Sequence, residues 1–369
     1  MFKSTHFRNL SIIFILALFI VNLAEAGSKR RRGTAGAQEL LIPVGARNIA
    51  MSGAFVAGLS GVEAAAYNPA GVAGMMSNGQ AMFSRNNWIA DINVNYAAVA
   101  SNFGGKNFFG VTFRNIDFGD IMVTTAEEPD GTGETFSPNY VTIGFLFSRK
   151  MTDRILFGAD IKFVHEGIMR ESANGFVIDA GVQYTTGTNG IRLGATVKNL
   201  GLNMWFNGPD LEGMYQPEGS EPGSSNEPRR VHSQDYEMPT SLELGVSYGP
   251  VNLGIGNVTL ATSFLNNNFS FDEYRLGGEF IFMNMLYLRG GFVIAFDPEP
   301  FGADNIEGTD DDEEDEQWIY DSEKFLFGPS FGFGLNSEKV TGMDLTIDYA
   351  YRSAKWFEDS QWITISLGF

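Results

Sequence analysis

Apolar and polar residues alternate strictly along much of this chain. From Ile155 to Phe163, the residues Ile155, Phe157, Ala159, Ile161 and Phe163 fall on one side of an extended strand, and Gly158, Asp160 and Lys162 on the other. Phe176, Ile178, Ala180, Val182 and Tyr184 oppose Asp179, Gly181 and Gln183 in the same way. Leu242, Leu244, Val246 and Tyr248 oppose Ser241, Glu243, Gly245 and Ser247, and Ile191 to Val197 repeats the design. A period of two is the mark of a strand whose faces meet unlike surroundings. Alternation alone does not say whether the oily face meets a protein core or lipid.

Length and rhythm separate the two. Fourteen such runs are readable: 79–86, 91–103, 106–118, 139–149, 154–167, 174–186, 190–203, 238–249, 254–266, 271–283, 285–297, 323–335, 342–352 and 360–369. Most reach the roughly 9–11 residues that a tilted strand needs to cross a bilayer. Every second connection is tight, as at Gly104-Gly105, Lys150 to Asp153 and Asn284. The others include the long stretches Ile116 to Pro138, Leu200 to Glu237 and Pro298 to Ser322. Short periplasmic turns alternating with long outer loops are the habit of outer-membrane barrels. The expected fold is therefore all-β: an antiparallel transmembrane barrel of about fourteen strands over 79–369.

Both ends of the chain fit that reading. Lys3 and Arg8 precede an apolar run from Leu10 to Leu23, and Ala24-Glu25-Ala26 offers a small-residue cleavage site. Residues 1–26 are expected to be a cleaved export signal, the run being short for a membrane helix. At the other end Phe369 closes the row Ile363, Ile365, Leu367. An aromatic ending an amphipathic strand is the expected signal for a barrel-assembly machinery, and aromatics at strand ends (Trp88, Tyr140, Tyr248, Trp362 among them) are expected to form interfacial girdles. Composition agrees: 44 glycines and 32 phenylalanines with mean hydropathy near zero suit two-faced strands. There is no cysteine, so neither a disulfide scaffold nor a lipid-anchored lipoprotein is expected.

Residues 27–78 read differently. Small residues dominate from Gly45 to Ala66, and short helices are signalled rather than strands. Ser60 with Glu63 predicts a capping box, and Asn68-Pro69 predicts an N-cap with proline in the first turn. A compact segment of this kind suits a plug inside the lumen. The stretch Gly45-Ala46-Arg47-Asn48-Ile49-Ala50-Met51-Ser52-Gly53-Ala54-Phe55-Val56-Ala57, followed by Tyr67-Asn68-Pro69-Ala70-Gly71-Val72-Ala73, resembles the N-terminal signature of the PorV/PorQ family of FadL-type outer-membrane barrels. That resemblance implies a fourteen-stranded barrel with its N-terminal segment folded into the lumen, and gives Gly45, Arg47, Asn68, Pro69, Ala70 and Gly71 as the plug motif. It further implies one of two activities. PorV-like members serve type IX secretion, receiving a cargo's signal domain from a translocon. FadL-type relatives pass hydrophobic small molecules through the wall. The secretion role is the first expectation and the passive channel the alternative.

Chemistry is sparse. Of three histidines, His6 lies in the export signal, and His165 is on the face opposite Asp160, so no catalytic pairing is expected and no enzyme is inferred. No cofactor is expected. Asp310 to Glu316 is an unbroken run of seven acids within a chain of net charge −19. It reads as a solvated, self-repelling loop, with Asp310, Asp311 and Asp312 a weak candidate for a hard cation. Lys29 to Arg32 reads as a solvated tail. Met204, Trp205, Phe206, Trp356 and Phe357 mark a candidate partner-binding rim on the outer loops. The expected partners are outer-membrane lipids and lipopolysaccharide, the assembly machinery, and a translocon with its cargo; nothing suggests nucleic acid.

Overall fold

The computed structural model describes residues 33–187, 190–216, 219, 225–296 and 325–369. Fourteen antiparallel strands close into one barrel, each paired with its chain neighbours and the first with the last. They are β1 (Gly79–Asn87), β2 (Asn93–Phe103), β3 (Asn107–Asp117), β4 (Asn139–Lys150), β5 (Ile155–Ile168), β6 (Glu171–Thr185), β7 (Ile191–Gly201), β8 (Ser241–Asn252), β9 (Gly256–Asn267), β10 (Asp272–Phe282), β11 (Leu286–Phe296), β12 (Phe327–Asn336), β13 (Leu345–Ala354) and β14 (Ser360–Gly368). Every run expected from the alternation is present. The proposed export signal and Lys29 to Arg32 lie outside the described residues, as do Asn189 and the acidic run with Asp310, Asp311 and Asp312.

Closure follows from β1 and β14, which pair from Gln80 opposite Gly368 to Asn87 opposite Gln361. Gly79 and Phe369 extend the seam by exchanging N–H···O bonds of 2.8 and 2.9 Å. A closed ladder pairs backbone groups from strand to strand around the barrel, which is what a bilayer demands. The period-two pattern then sorts side chains. Phe145, Ile161, Phe176, Leu276, Phe331 and Ile363 stand on the exterior, while Thr112, Asp160, Glu243, Glu279 and Asp348 are buried inside. An oily exterior around a charged interior inverts a soluble protein and matches lipid.

Connections alternate between two ends: the turn end, where they run three to eight residues, and the loop end, which carries the three longest together with short ones such as Met169-Arg170 between β5 and β6. Two small hairpins decorate the loop end, Ile121–Met122 with Thr135–Phe136 and Glu212–Tyr215 with Glu227–Arg230. Among the described residues, the β11–β12 ladder runs only from Leu286–Leu335 to Gly291–Ser330, although β11 continues to Phe296 against β10.

Residues 33–78 occupy the lumen. Gly33 begins at the loop end, its N–H bonded to Phe269 O in the β9–β10 connection. A strap with a short turn at Gln38–Leu41 crosses the mouth, and the chain then descends through the turns Ala46–Ile49, Val62–Ala66 and Pro69–Gly74 to enter β1 at the turn end. Its core residues Val44, Met51, Leu59, Val72 and Ala73 are buried with Phe108 and Leu146 of the wall.

Candidate functional site

Shape and polar contacts both seat the plug. Wall glycines face it where its backbone comes closest. A Cβ at Gly158 would meet Pro69 backbone at 2.2 Å, and one at Gly291 would meet Met51 backbone at 2.3 Å. Gln183 on β6 donates through Nε2 to Val56 O and Leu59 O, both at 3.0 Å. Ser148 Oγ accepts from Ala73 N at 3.1 Å.

The plug motif falls at these seats. Asn68 Oδ1 accepts from Ala70 N at 3.2 Å and caps the turn that Pro69 opens, while Nδ2 donates to Val182 O at 3.1 Å. Ala70 and Gly71 are buried in that turn. Arg47 donates through Nε and Nη2 to both oxygens of Glu279, at 3.0 and 2.9 Å. Arg289 holds the same carboxylate at 2.7 Å and reaches Asp348 at 2.5 Å, so the clamp is a four-residue charge network. Gly45 has φ 82°, and a Cβ there would lie 2.6 Å from the Glu63 carboxyl, so only glycine fits.

The capping box does not form. The turn Val62–Ala66 follows Gly61 with no side-chain cap. Glu63 instead accepts from Asn48 N at 2.8 Å, a donor from another plug turn. Burial pushes its carboxyl up to about 7, with the Asn48 bond pulling the other way.

Above the plug lies a cavity of about 950 Å³, walled by the loop-end half of the barrel and covered by the strap. Ile42, Ile89, Ile116, Phe118, Phe271 and Phe327 make its apolar side. Charged residues on neighbouring strands make the other. Lys162 pairs with Asp179; Lys198 meets Glu243 at 3.2 Å; Arg275 meets Glu243 at 3.1 Å and Glu273 at 2.8 Å. A register shift between Ile178 and Ala180 marks a bulge, and Asn199 with φ 56° donates its N–H to Asp179 Oδ1 at 2.8 Å. Arg352 stacks over Phe327 at 4.2 Å and has no ion-pair partner among the described residues. The site is an amphipathic chamber, with no cluster of acids or histidines that could hold a metal among the described residues.

The structure divides the candidate rim. Met204 is buried against Leu40 of the strap and Val164 and Val177 of the wall, and Phe206 packs beside Tyr236 and lines the cavity. Trp205, Trp356 and Phe357 remain exposed. Some expected girdle aromatics turn inward instead. Trp362 is buried and donates from Nε1 to Pro43 O at 3.0 Å, with Trp88 packed edge-on at 6.0 Å. His165 sits beside Asn174, 2.8 Å from Nδ1 to Oδ1, away from buried Asp160. Alternation did not single out Glu39, Arg114, Glu166, Tyr236, Arg275 or Arg352. The four wall residues among them have lumenal parity near the loop ends of strands, which is the signal that could have found them.

Strand number, lumenal plug and covered chamber together define a plugged fourteen-stranded barrel. Solved structures with this fold include the CymD monoaromatic hydrocarbon channel, 13% identical with TM-score 0.52 over 89% of this chain and 98% of that one. The Ralstonia pickettii toluene transporter TbuX is 14% identical, TM-score 0.52, over 88% and 98%. A Pseudomonas aeruginosa FadL homologue is 13% identical, TM-score 0.51, over 88% and 98%. The chain thus shares its fold with these solved barrels. No family model and no curated protein sequence matches the chain.

Proposed function

We propose that this chain is an outer-membrane channel for hydrophobic small molecules, received in the covered chamber above the plug. The observation that carries the reading is that chamber: about 950 Å³, with one apolar side, inside a barrel whose exterior is oily and whose other half is filled. Pockets of this size that bury most of a small ligand are typical binding sites. Two of the fold's structural neighbours, a monoaromatic hydrocarbon channel and a toluene transporter, support the same reading. Export across the inner membrane and insertion through the terminal Phe369 belong to the proposal, and it includes no catalytic step. Exit is lateral, since the plug blocks the straight path and the described β11–β12 ladder stops halfway.

A secretion role, first on sequence resemblance, stands second. Exposed Trp205, Trp356 and Phe357 at the loop end favour it, as a surface on which a cargo domain would sit. One pair of variants separates the readings. Ile116→Trp fills the chamber and is expected to cut uptake of a monoaromatic hydrocarbon by intact cells at least several-fold, leaving surface proteins unchanged. Trp205→Ala with Trp356→Ala is expected to leave uptake intact. Unaltered uptake in the first, with loss of surface cargo in the second, would reverse the order.

A further inference from the structure

The strap across the mouth carries a buried acid. Glu39, from the turn Gln38–Leu41, is buried at the edge of the chamber, whose wall there includes Glu166 of β5. Glu166 Oε2 accepts from Tyr236 Oη at 2.5 Å, whereas Glu39 Oε1 is buried without a partner. The groups facing this pair come from four elements. Arg114 of β3 spends Nη1 on Glu39 backbone O at 2.7 Å and stacks on Tyr96 of β2 at 6.0 Å. Tyr140 of β4 stands near both carboxyls. Lys162, on β5 with Glu166, is committed to Asp179 of β6. Tyr236 belongs to the long β7–β8 loop, and its ring lies so close to Gly36 that a Cβ there would overlap it.

A buried carboxyl with an unpartnered oxygen disfavours its charged form, a neighbouring carboxylate adds repulsion, and a proton on the buried group removes both costs. Around this point the strap is held by Leu40 against Val164, Val177 and Met204, and by Gly36 N to Glu237 O at 3.1 Å. Residues 34–44 also line the chamber, so whatever lifts the strap opens it.

We propose that the strap is a proton-operated cover: it lies down over the chamber when Glu39 carries a proton, and lifts when Glu39 is charged. Burial and then the facing Glu166 hold Glu39 well above the ordinary carboxylate value of 4.5, to about 8. A group whose pKa is raised in the docked form stabilises docking fully below its ordinary value. That stabilisation is lost as pH rises toward the docked value, and one proton per docking event means about tenfold per pH unit across the window. The chamber is covered in acid and opens in mild alkali. The inference concerns the cover and holds whichever molecule the chamber receives.

The absence of cysteine makes the test direct. Gln38→Cys on the strap and Lys106→Cys at the turn end carry spin labels in the full chain reconstituted in lipid, and their separation is read from about pH 5 to about pH 9.5. One narrow distance is expected at the acid end. A second, displaced population should grow about tenfold per pH unit between about pH 4.5 and about pH 8. Glu39→Gln is expected to keep the narrow distance throughout, because its amide is neutral at every pH. An unchanging distribution in the labelled parent, or displacement in Glu39→Gln with the parent's pH profile, overturns the proposal.

Discussion

Asn68 shows how much one side chain can hold. Its oxygen caps the turn Pro69–Gly74 while its amide nitrogen reaches Val182 O of the wall, so plug folding and plug seating pass through one residue. Asn68→Ala removes both and is expected to cost the plug about 0.5–2 kcal/mol for the cap. Hydrogen exchange of the amides of Ala70 to Met75 should rise accordingly, while the barrel stays heat-modifiable because its own bonds run strand to strand. Unchanged exchange would show that the cap is idle. This residue was legible in the sequence because Asn-Pro is a strong local signal and its first partner lies two residues away. Glu63 was misread for the complementary reason: its capping box is equally local, but the Asn48 N–H fifteen residues earlier is the partner it takes. Arg47 stands between the two. The motif marked it, yet Glu279 and the network behind it lie more than two hundred residues on, where no spacing rule reaches.

Among elements, alternation and turn spacing were enough to find every strand of the barrel but not the two small hairpins of the loop end, and the largest boundary shift is at β12, expected from 323 and observed from Phe327. The inward Trp362 was also readable: Ile363, Ile365 and Leu367 face out, so residue 362 has lumenal parity, and strand-end position was the weaker guide. The bulge at Asp179 and the kink at Asn199 were not readable, because both depend on pairing between β6 and β7. Which end of the barrel faces outward follows from loop length. Single cysteines at Asp130 and Gly219 are expected to react with a membrane-impermeant reagent on intact cells. Those at Asn107, Asp153 and Asn284 should react only after the outer membrane is breached. Asp312 and Asn189, outside the described residues, belong to the first and second groups by the same reasoning. Reaction of both groups on intact cells would break the link between loop length and sidedness.

For the whole molecule the question is where a solute goes once it is in the chamber. The plug fills the turn-end half with buried residues and backbone set directly against wall glycines. Moving it would break the Arg47 clamp and the Gln183 bonds together, each bond to a charged group costing about 1.5–3 kcal/mol. Sideways exit needs none of this, and the shortened β11–β12 ladder lies beside Phe327 of the chamber. The two routes separate at one pair of hydroxyls: Ser52 Oγ of the plug is 3.2 Å from Ser330 Oγ of β12. Ser52→Cys with Ser330→Cys, oxidised, ties the plug to the wall in a chain that has no other cysteine. Uptake of a monoaromatic hydrocarbon by cells carrying the locked barrel is expected to match that after reduction. If the lock abolishes uptake and reductant restores it, the path runs through the plug, and the plug must then move as a body despite its seat.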